Sequence, residues 1–177
     1  MPRVLPGAPP LTASGTSPAL GDLPDPGGRS GWPWTEASPD VDVDGAPRVT
    51  VVTPSYDQGR YLEETLRSVL LQGYPGLEYI VLDGGSTDDS RSILERYDPF
   101  LAHWESHPDA GQSDALNRGF QRATGEIIGW VNSDDLLAPG AIATSVAALQ
   151  ASPDAGFSYG DWAMIDADSR VIGHETP

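Results

Sequence analysis

Three apolar runs, VTVVT (49–53), YIVL (79–82) and EIIGWV (126–131), each pass directly into a polar loop, and this limits the folds open to the chain. A continuous apolar run without alternation suits a strand buried on both faces. Between the first two, Leu62, Leu66, Val69 and Leu70 recur at i, i+4, i+7 and i+8. That is the apolar face of a helix, with Glu63, Glu64 and Arg67 on the other side. After Asp83, GGSTDD predicts a second helix with Ser86 or Thr87 as its cap, Asp88 and Asp89 in its first turn, and Ile93, Leu94 and Tyr97 facing the core. A third helix is expected over Ser113–Ala123, and a fourth opens at Pro139 and runs to about Gln150. Strands over Gly156–Ile165 and Arg170–Gly173, joined by the turn DADS, close the pattern. Such a succession predicts an α/β fold with a mostly parallel sheet flanked by helices. In these folds ligands sit at the carboxyl ends of the strands. The loops 53–57, 83–86 and 132–135 are therefore expected to converge on one crevice.

Composition divides the chain. Residues 1–47 hold 10 of the 17 Pro and 7 of the 20 Gly, with few large apolar side chains to offset the entropy of ordering. A disordered tail over 1–47 and one domain over 48–177 are expected. Two readings stay open for Trp32 and Trp34: docking on the domain, or exposure with no role. Asp40, Asp42 and Asp44 alternate with Val and Gly and suit a solvated linker better than a cation site. All ten basic residues are Arg, which excludes a phosphate-loop lysine and Schiff-base chemistry; the absence of Cys excludes thiolate catalysis and cysteine zinc sites. A net charge of −16 makes nucleic acid a poor partner and makes phosphate binding dependent on a divalent cation. No segment has the length or apolarity of a membrane span, so a cytoplasmic chain is the default.

Asp134 and Asp135 directly follow an apolar strand. Adjacent carboxylates there supply the oxygen ligands that Mg2+ or Mn2+ takes while leaving positions for a diphosphate; an isolated Asp pair is equally consistent with a turn or a helix cap. Asp83 before Gly-Gly is also ordinary turn chemistry. His103 and His107 have the i, i+4 spacing of a helical metal pair, but Trp104 and Pro108 argue against a helix there.

The combination is more specific than its parts. The segments TVVTPSYDQGRYLEETLRSVLLQGYPGLEYIVLDGGSTDDS, SHPDAGQSDALNRGFQRATGEIIGWVNSDD and, more weakly, FSYGDWAMID resemble the inverting GT-A glycosyltransferases of family 2 over roughly residues 48–177. The resemblance implies a Rossmann-like GT-A fold, represented by its nucleotide-sugar-binding portion and stopping before the acceptor-binding half. It places Thr53, Pro54, Ser55 and Tyr56 on the wall around the base and ribose, and Asp83 on the base. It places Gln112, Asp114, Asn117 and Arg118 in the donor pocket, with Arg118 toward the diphosphate. Ser133 and Asp134 then meet the ribose or sugar, and Asp134 and Asp135 a Mn2+ or Mg2+ ion. Asn132 stands where many relatives carry a third Asp, which leaves open which carboxylate meets the metal.

The expected activity is metal-dependent transfer of a sugar, with inversion, from a nucleotide-diphosphate sugar to a hydroxyl of a carbohydrate or glycolipid acceptor. A UDP-sugar is the favoured donor. Such a transfer also needs a base, and Asp161, Asp166, Asp168 and Glu175 offer no convincing one, so the base is expected outside this chain. The alternative is a non-catalytic nucleotide-sugar-binding or interaction module. Self-association through an apolar surface within residues 157–172 is a further expectation.

Overall fold

The computed structural model describes residues 17–41 and 45–175, which fall into two compact units, one up to Ala141 and one from Ile142. In the first, β1 (Val49–Ser55), β2 (Leu77–Asp83), β3 (His103–Ser106) and β4 (Ile127–Trp130) form one parallel sheet in the order β3-β2-β1-β4. The helices are α1 (Gly59–Leu70), α2 (Ser90–Tyr97) and α3 (Gln112–Arg122). Val52, Ile80 and Leu82 pack with Ala115, Leu116 and Phe120 of α3. The alternate residues Val51, Tyr79 and Val81 point to the opposite face and are buried as well. The two central strands are thus covered on both faces, as their aliphatic runs predict, whereas the third run, β4, is an edge strand that leaves Ile128 and Trp130 exposed. Register pairs Ser55 with Asp83 and Asp83 with Ser106, so three strands end level and their loops open at one edge.

The segment 17–41 departs from the expected disorder. It forms a strap on α1, with Leu23 and Trp34 buried. The fully buried Arg67 holds it: Nε donates to Pro33 O at 3.0 Å, Nη1 to Pro24 O at 2.9 Å and Nη2 to Trp34 O at 3.0 Å. Farther along, Ser38 N donates to Leu71 O and Val41 N to Gly73 O. Gly73 is required twice over there, by its φ of +62° and because a Cβ would lie 2.3 Å from Pro39 O. Of the two readings of the tryptophans, docking is the one observed: Trp34 is buried and Trp32 Nε1 donates to Leu137 O at 3.0 Å. Asp42 and Asp44 lie outside the described residues.

The strap also changes the reading of α1. Its charged side is not a solvated face, because Glu63 and Arg67 are both buried beneath the strap. Arg67 Nη1 donates to the Tyr97 hydroxyl, which donates to Glu63 Oε1, each at 3.2 Å. Arg29 of the strap pairs with Glu63 at 2.8 Å. Burial first, and then the neighbouring Glu63 carboxylate, push the Tyr97 hydroxyl up to about 12 against the opposing pull of Arg67.

Smaller differences have local causes. Helix α2 begins at Ser90 with Asp89 at its cap position, rather than at Ser86 or Thr87, because both of those side chains bond to the strand-end loops instead. The stretch HWES is a half-buried edge strand, β3, without an aliphatic run to announce it. This extended backbone also removes the helical geometry that a His103/His107 metal pair would need.

The second unit contains the body of α4 (Ala141–Ala151), which starts two residues beyond Pro139, and an antiparallel hairpin of β5 (Trp162–Ile165) and β6 (Val171–Glu175). Residues 156–161, expected in the strand, lie outside it. In the hairpin turn Asp166 Oδ1 accepts from the amides of Asp168 and Arg170, and these bonds hold its carboxyl below the usual range. Phe157, Tyr159, Trp162, Met164, Val171 and Ile172 are all exposed. Among the described residues no helix is long and apolar enough to cross a membrane.

Candidate nucleotide-sugar site

The level strand ends enclose a cavity of about 710 Å3, within the usual range of small-molecule sites. Pro54, Ser55 and Tyr56 at the end of β1 form one wall and Gly84 and Gly85 after β2 another; Pro108 and Asp109 follow β3, and Asn132, Ser133 and Asp134 follow β4. The amino end of α3 enters through Gly111 and Gln112, bringing the positive end of its dipole to the cavity. All three predicted loops converge here.

Site residues differ in what they offer a ligand. Ser55 is buried, and its Oγ has no hydrogen-bond partner among the described residues. A buried hydroxyl without a partner costs free energy unless a ligand or water meets it. Tyr56 is exposed and lines the cavity. Thr53 lies deeper and does not line the cavity; its Oγ1 shares a hydrogen bond with the Tyr79 hydroxyl at 2.9 Å.

Asp83 is fully buried and absent from the lining. Its Oδ2 accepts from Gly85 N at 3.2 Å, Ser86 N at 2.9 Å and Ser106 Oγ at 2.7 Å, and its Oδ1 accepts from Ser86 Oγ. The carboxylate therefore shapes the glycine wall from beneath. Gly85 belongs to that wall for a steric reason too: its φ is +85° and a Cβ would meet Pro108 N at 2.8 Å.

Arg118 does not line the cavity either. Carboxylates surround it, with Nη1 2.5 Å from Glu105 Oε1, Nη2 3.2 Å from Asp109 Oδ2, and Nε 3.2 Å from Asp114 Oδ2. The last contact is a charge pairing not aligned for a hydrogen bond. Burial raises the Glu105 carboxyl, but a bond with His103 and the charges of Arg122, Arg118 and His107 outweigh it and leave the group below its ordinary range. Asn117 is exposed on α3 away from the lining. Among the described residues the cavity wall thus carries two carboxylates, Asp109 and Asp134, and no cationic side chain.

Asp134 and Asp135 are both exposed. Asp135 Oδ2 accepts from Asn132 Nδ2 at 2.9 Å, and Asn132 Oδ1 accepts from Gln112 Nε2 at 2.7 Å. Among the described residues no three His, Cys, Asp or Glu side chains gather into a ready-made cation cage. Asp134 on the cavity wall, with Asp135 exposed next to it but outside the lining, still offers carboxylate oxygens to a Mg2+- or Mn2+-type ion that keeps positions for phosphate oxygens. Sequence reasoning left Gln58 without a role, although it lines the cavity. Asp109 opens the segment whose family resemblance implies a donor-pocket wall, and it does line the cavity; Ala115, expected in the core, is buried there and also reaches the lining.

Comparison with known proteins identifies the family and the fold. The family model described as glycosyl transferase family 2 matches residues 50–174. A glycosyltransferase of Mycobacterium tuberculosis, itself uncharacterised, is 41% identical over 106 residues, which are 59% of this chain and 40% of that protein. The chain spans about two fifths of the length of the curated relatives it matches. Among solved structures, the mannosyltransferase PcManGT of Pyrobaculum calidifontis, in complex with GDP-Man and Mn2+, is 34% identical with a TM-score of 0.51 over 59% of this chain and 32% of its own. TarS of S. aureus, in complex with UDP-GlcNAc, is 27% identical with a TM-score of 0.54 over 59% of this chain and 31% of its own. Both neighbours are GT-A glycosyltransferases, which agrees with the parallel sheet flanked by helices seen here. From its motifs, its fold and the family match alike, this chain belongs to glycosyl transferase family 2.

Proposed function

We propose that the cavity binds a nucleotide-diphosphate sugar, with a UDP-sugar favoured, and that Asp134 and Asp135 hold Mn2+ or Mg2+ beside its diphosphate. The protein then serves inverting glycosyl transfer to a hydroxyl of a carbohydrate or glycolipid. One observation carries this reading: a cavity of donor size whose wall, among the described residues, has two carboxylates and no cationic side chain. A diphosphate there meets net repulsion unless a divalent cation intervenes. When bound, that cation would neutralise charge on the leaving diphosphate. The chain's own residues do the rest of the binding. Ser55 Oγ offers a hydroxyl to the nucleoside, Tyr56 a ring face, and the amino end of α3 its partial positive charge. Arg118 acts through Asp109, whose carboxylate it holds in the wall. We assign no base.

Calorimetric titration with UDP, GDP and dTDP, each with and without Mn2+, tests the proposal. One nucleotide is expected to bind much more tightly with metal than without, and Asp134→Ala and Asp135→Ala are each expected to weaken the metal-supported binding by about tenfold or more, roughly 1.4 kcal/mol. Equal affinity without metal would remove the cation from the account. Binding of none of the three would end the donor-site reading, whereas binding without turnover in the presence of acceptors would favour a binding module.

The six exposed apolar side chains of residues 157–172 also support self-association of the protein. Sedimentation velocity at rising concentration is expected to show a growing dimer fraction, diminished in Trp162→Asp. A single monomeric boundary throughout would refute it.

A further inference from the structure

The segment Asn132–Gly140 has neither helix nor strand, so its peptide groups must find partners elsewhere. A row of polar side chains on α1 and just past its end supplies them. Thr65, Ser68 and Gln72 stand at i, i+3 and i+7 and are fully buried amid Leu62, Leu66 and Val69. Thr65 Oγ1 lies 3.0 Å from Ser133 O and 2.9 Å from Asp135 O, sharing its one proton between the carbonyls on either side of Asp134. Ser68 Oγ accepts from Leu137 N at 3.1 Å, and Gln72 Nε2 donates to Ala138 O at 3.0 Å. The strap completes the set, with Trp32 Nε1 on Leu137 O and Gly140 N donating to Ser38 Oγ.

We infer that Thr65, with Ser68 and Gln72, positions the acidic loop, so that a helix side chain lying behind the cavity decides where the Asp134 and Asp135 carboxylates stand. The inference rests on the reading of those carboxylates as cation ligands. Thr65 is a positioning residue, since it touches neither donor nor metal. Its hydroxyl meets the two carbonyls that bracket Asp134, so losing it frees the peptide from which that carboxylate projects. Loss of a hydroxyl that merely satisfied buried polar groups would lower stability without changing the preference for metal. Loss of a positioning group changes metal affinity specifically.

Thr65→Val keeps the shape and deletes the hydroxyl; Thr65→Ser keeps the hydroxyl. The readouts are amide hydrogen exchange, melting temperature, nucleotide affinity without metal, and the Mn2+ concentration needed for nucleotide binding. In Thr65→Val the amides of Asp135 and Leu137 are expected to exchange about tenfold faster, with β1 and β2 unchanged, as the loss of one buried hydrogen bond predicts. The Mn2+ requirement is expected to rise by a similar factor, about tenfold, while metal-free nucleotide affinity stays constant. Thr65→Ser is expected to restore both. Unchanged exchange and Mn2+ requirement in Thr65→Val, or failure of Thr65→Ser to restore them, would overturn the inference. If the unsubstituted protein needs no Mn2+, the metal reading fails by itself, and the exchange of Asp135 and Leu137 alone decides whether Thr65 positions the loop. Should Thr65→Val fail to fold, Ser68→Ala replaces it, with faster exchange at Leu137 supporting the inference and unchanged exchange refuting it.

Discussion

Replacing Arg67 with Met is expected to destabilise the protein by about 3 kcal/mol, the range for stranding buried acceptors of a charged donor. The side chain is fully buried, and its guanidinium is the common partner of Pro24 O, Pro33 O and Trp34 O. Methionine fills much of the volume but donates nothing, so three strap carbonyls lose their partner together. The strap can peel away and regain water, which caps the loss near the free energy of its docking. Denaturant titration is expected to show the lower midpoint, and limited proteolysis to show cleavage within 17–41. Arg67→Lys is expected to rescue little, because one ammonium cannot address three divergent carbonyls as the planar fork does. An unchanged midpoint with a protected strap would refute the assignment.

Asp83→Ala is expected to have an effect of similar size, about 3 kcal/mol, because a buried carboxylate accepting several hydrogen bonds leaves its donors unpaired when removed. Gly85 N, Ser86 N, Ser86 Oγ and Ser106 Oγ all converge on it. Nucleotide affinity is expected to fall with stability, since the Gly84–Gly85 wall would lose its support. The measurement also separates two roles for this residue. A carboxylate acting solely as a contact to the base would lower affinity while leaving thermal stability within about 0.5 kcal/mol of the parent. Differential scanning fluorimetry beside nucleotide titration distinguishes the outcomes.

The sheet was legible in the sequence because its physics is local. Val49–Ser55 and Leu77–Asp83 are aliphatic runs buried on both faces, and each ends in polar residues that the level register brings to one edge. The crevice followed from those strand ends. Partners across space were not legible. Arg67 and Glu63 fall on the side of α1 opposite its leucines, which usually means solvent, and nothing in their spacing says that a proline-rich segment covers them. The edge strand His103–Ser106 has half-buried residues that are polar or aromatic and carry no alternation, so only the family resemblance implied an extended stretch there. At the site, Asp83 and Arg118 stood out as residue types. Their work, supporting a wall and being neutralised by Glu105, Asp109 and Asp114, depends on neighbours 9 to 23 residues away or only two to four. Thr65, Ser68 and Gln72 carry no local signal of a role, yet they are the partners of the acidic loop.

At Arg67 the strap is gripped by its main chain. Arg67 touches the carbonyl oxygens of Pro24, Pro33 and Trp34 and none of their side-chain atoms through hydrogen bonds. A proline contributes such an oxygen without an amide hydrogen that would need a partner of its own. A composition poor in large apolar residues is therefore well matched to lying along a buried cation. Selection acting on this contact would see the path of the segment more than its letters, so sequences around the two gripped prolines could diverge widely among descendants while the same guanidinium kept hold of them.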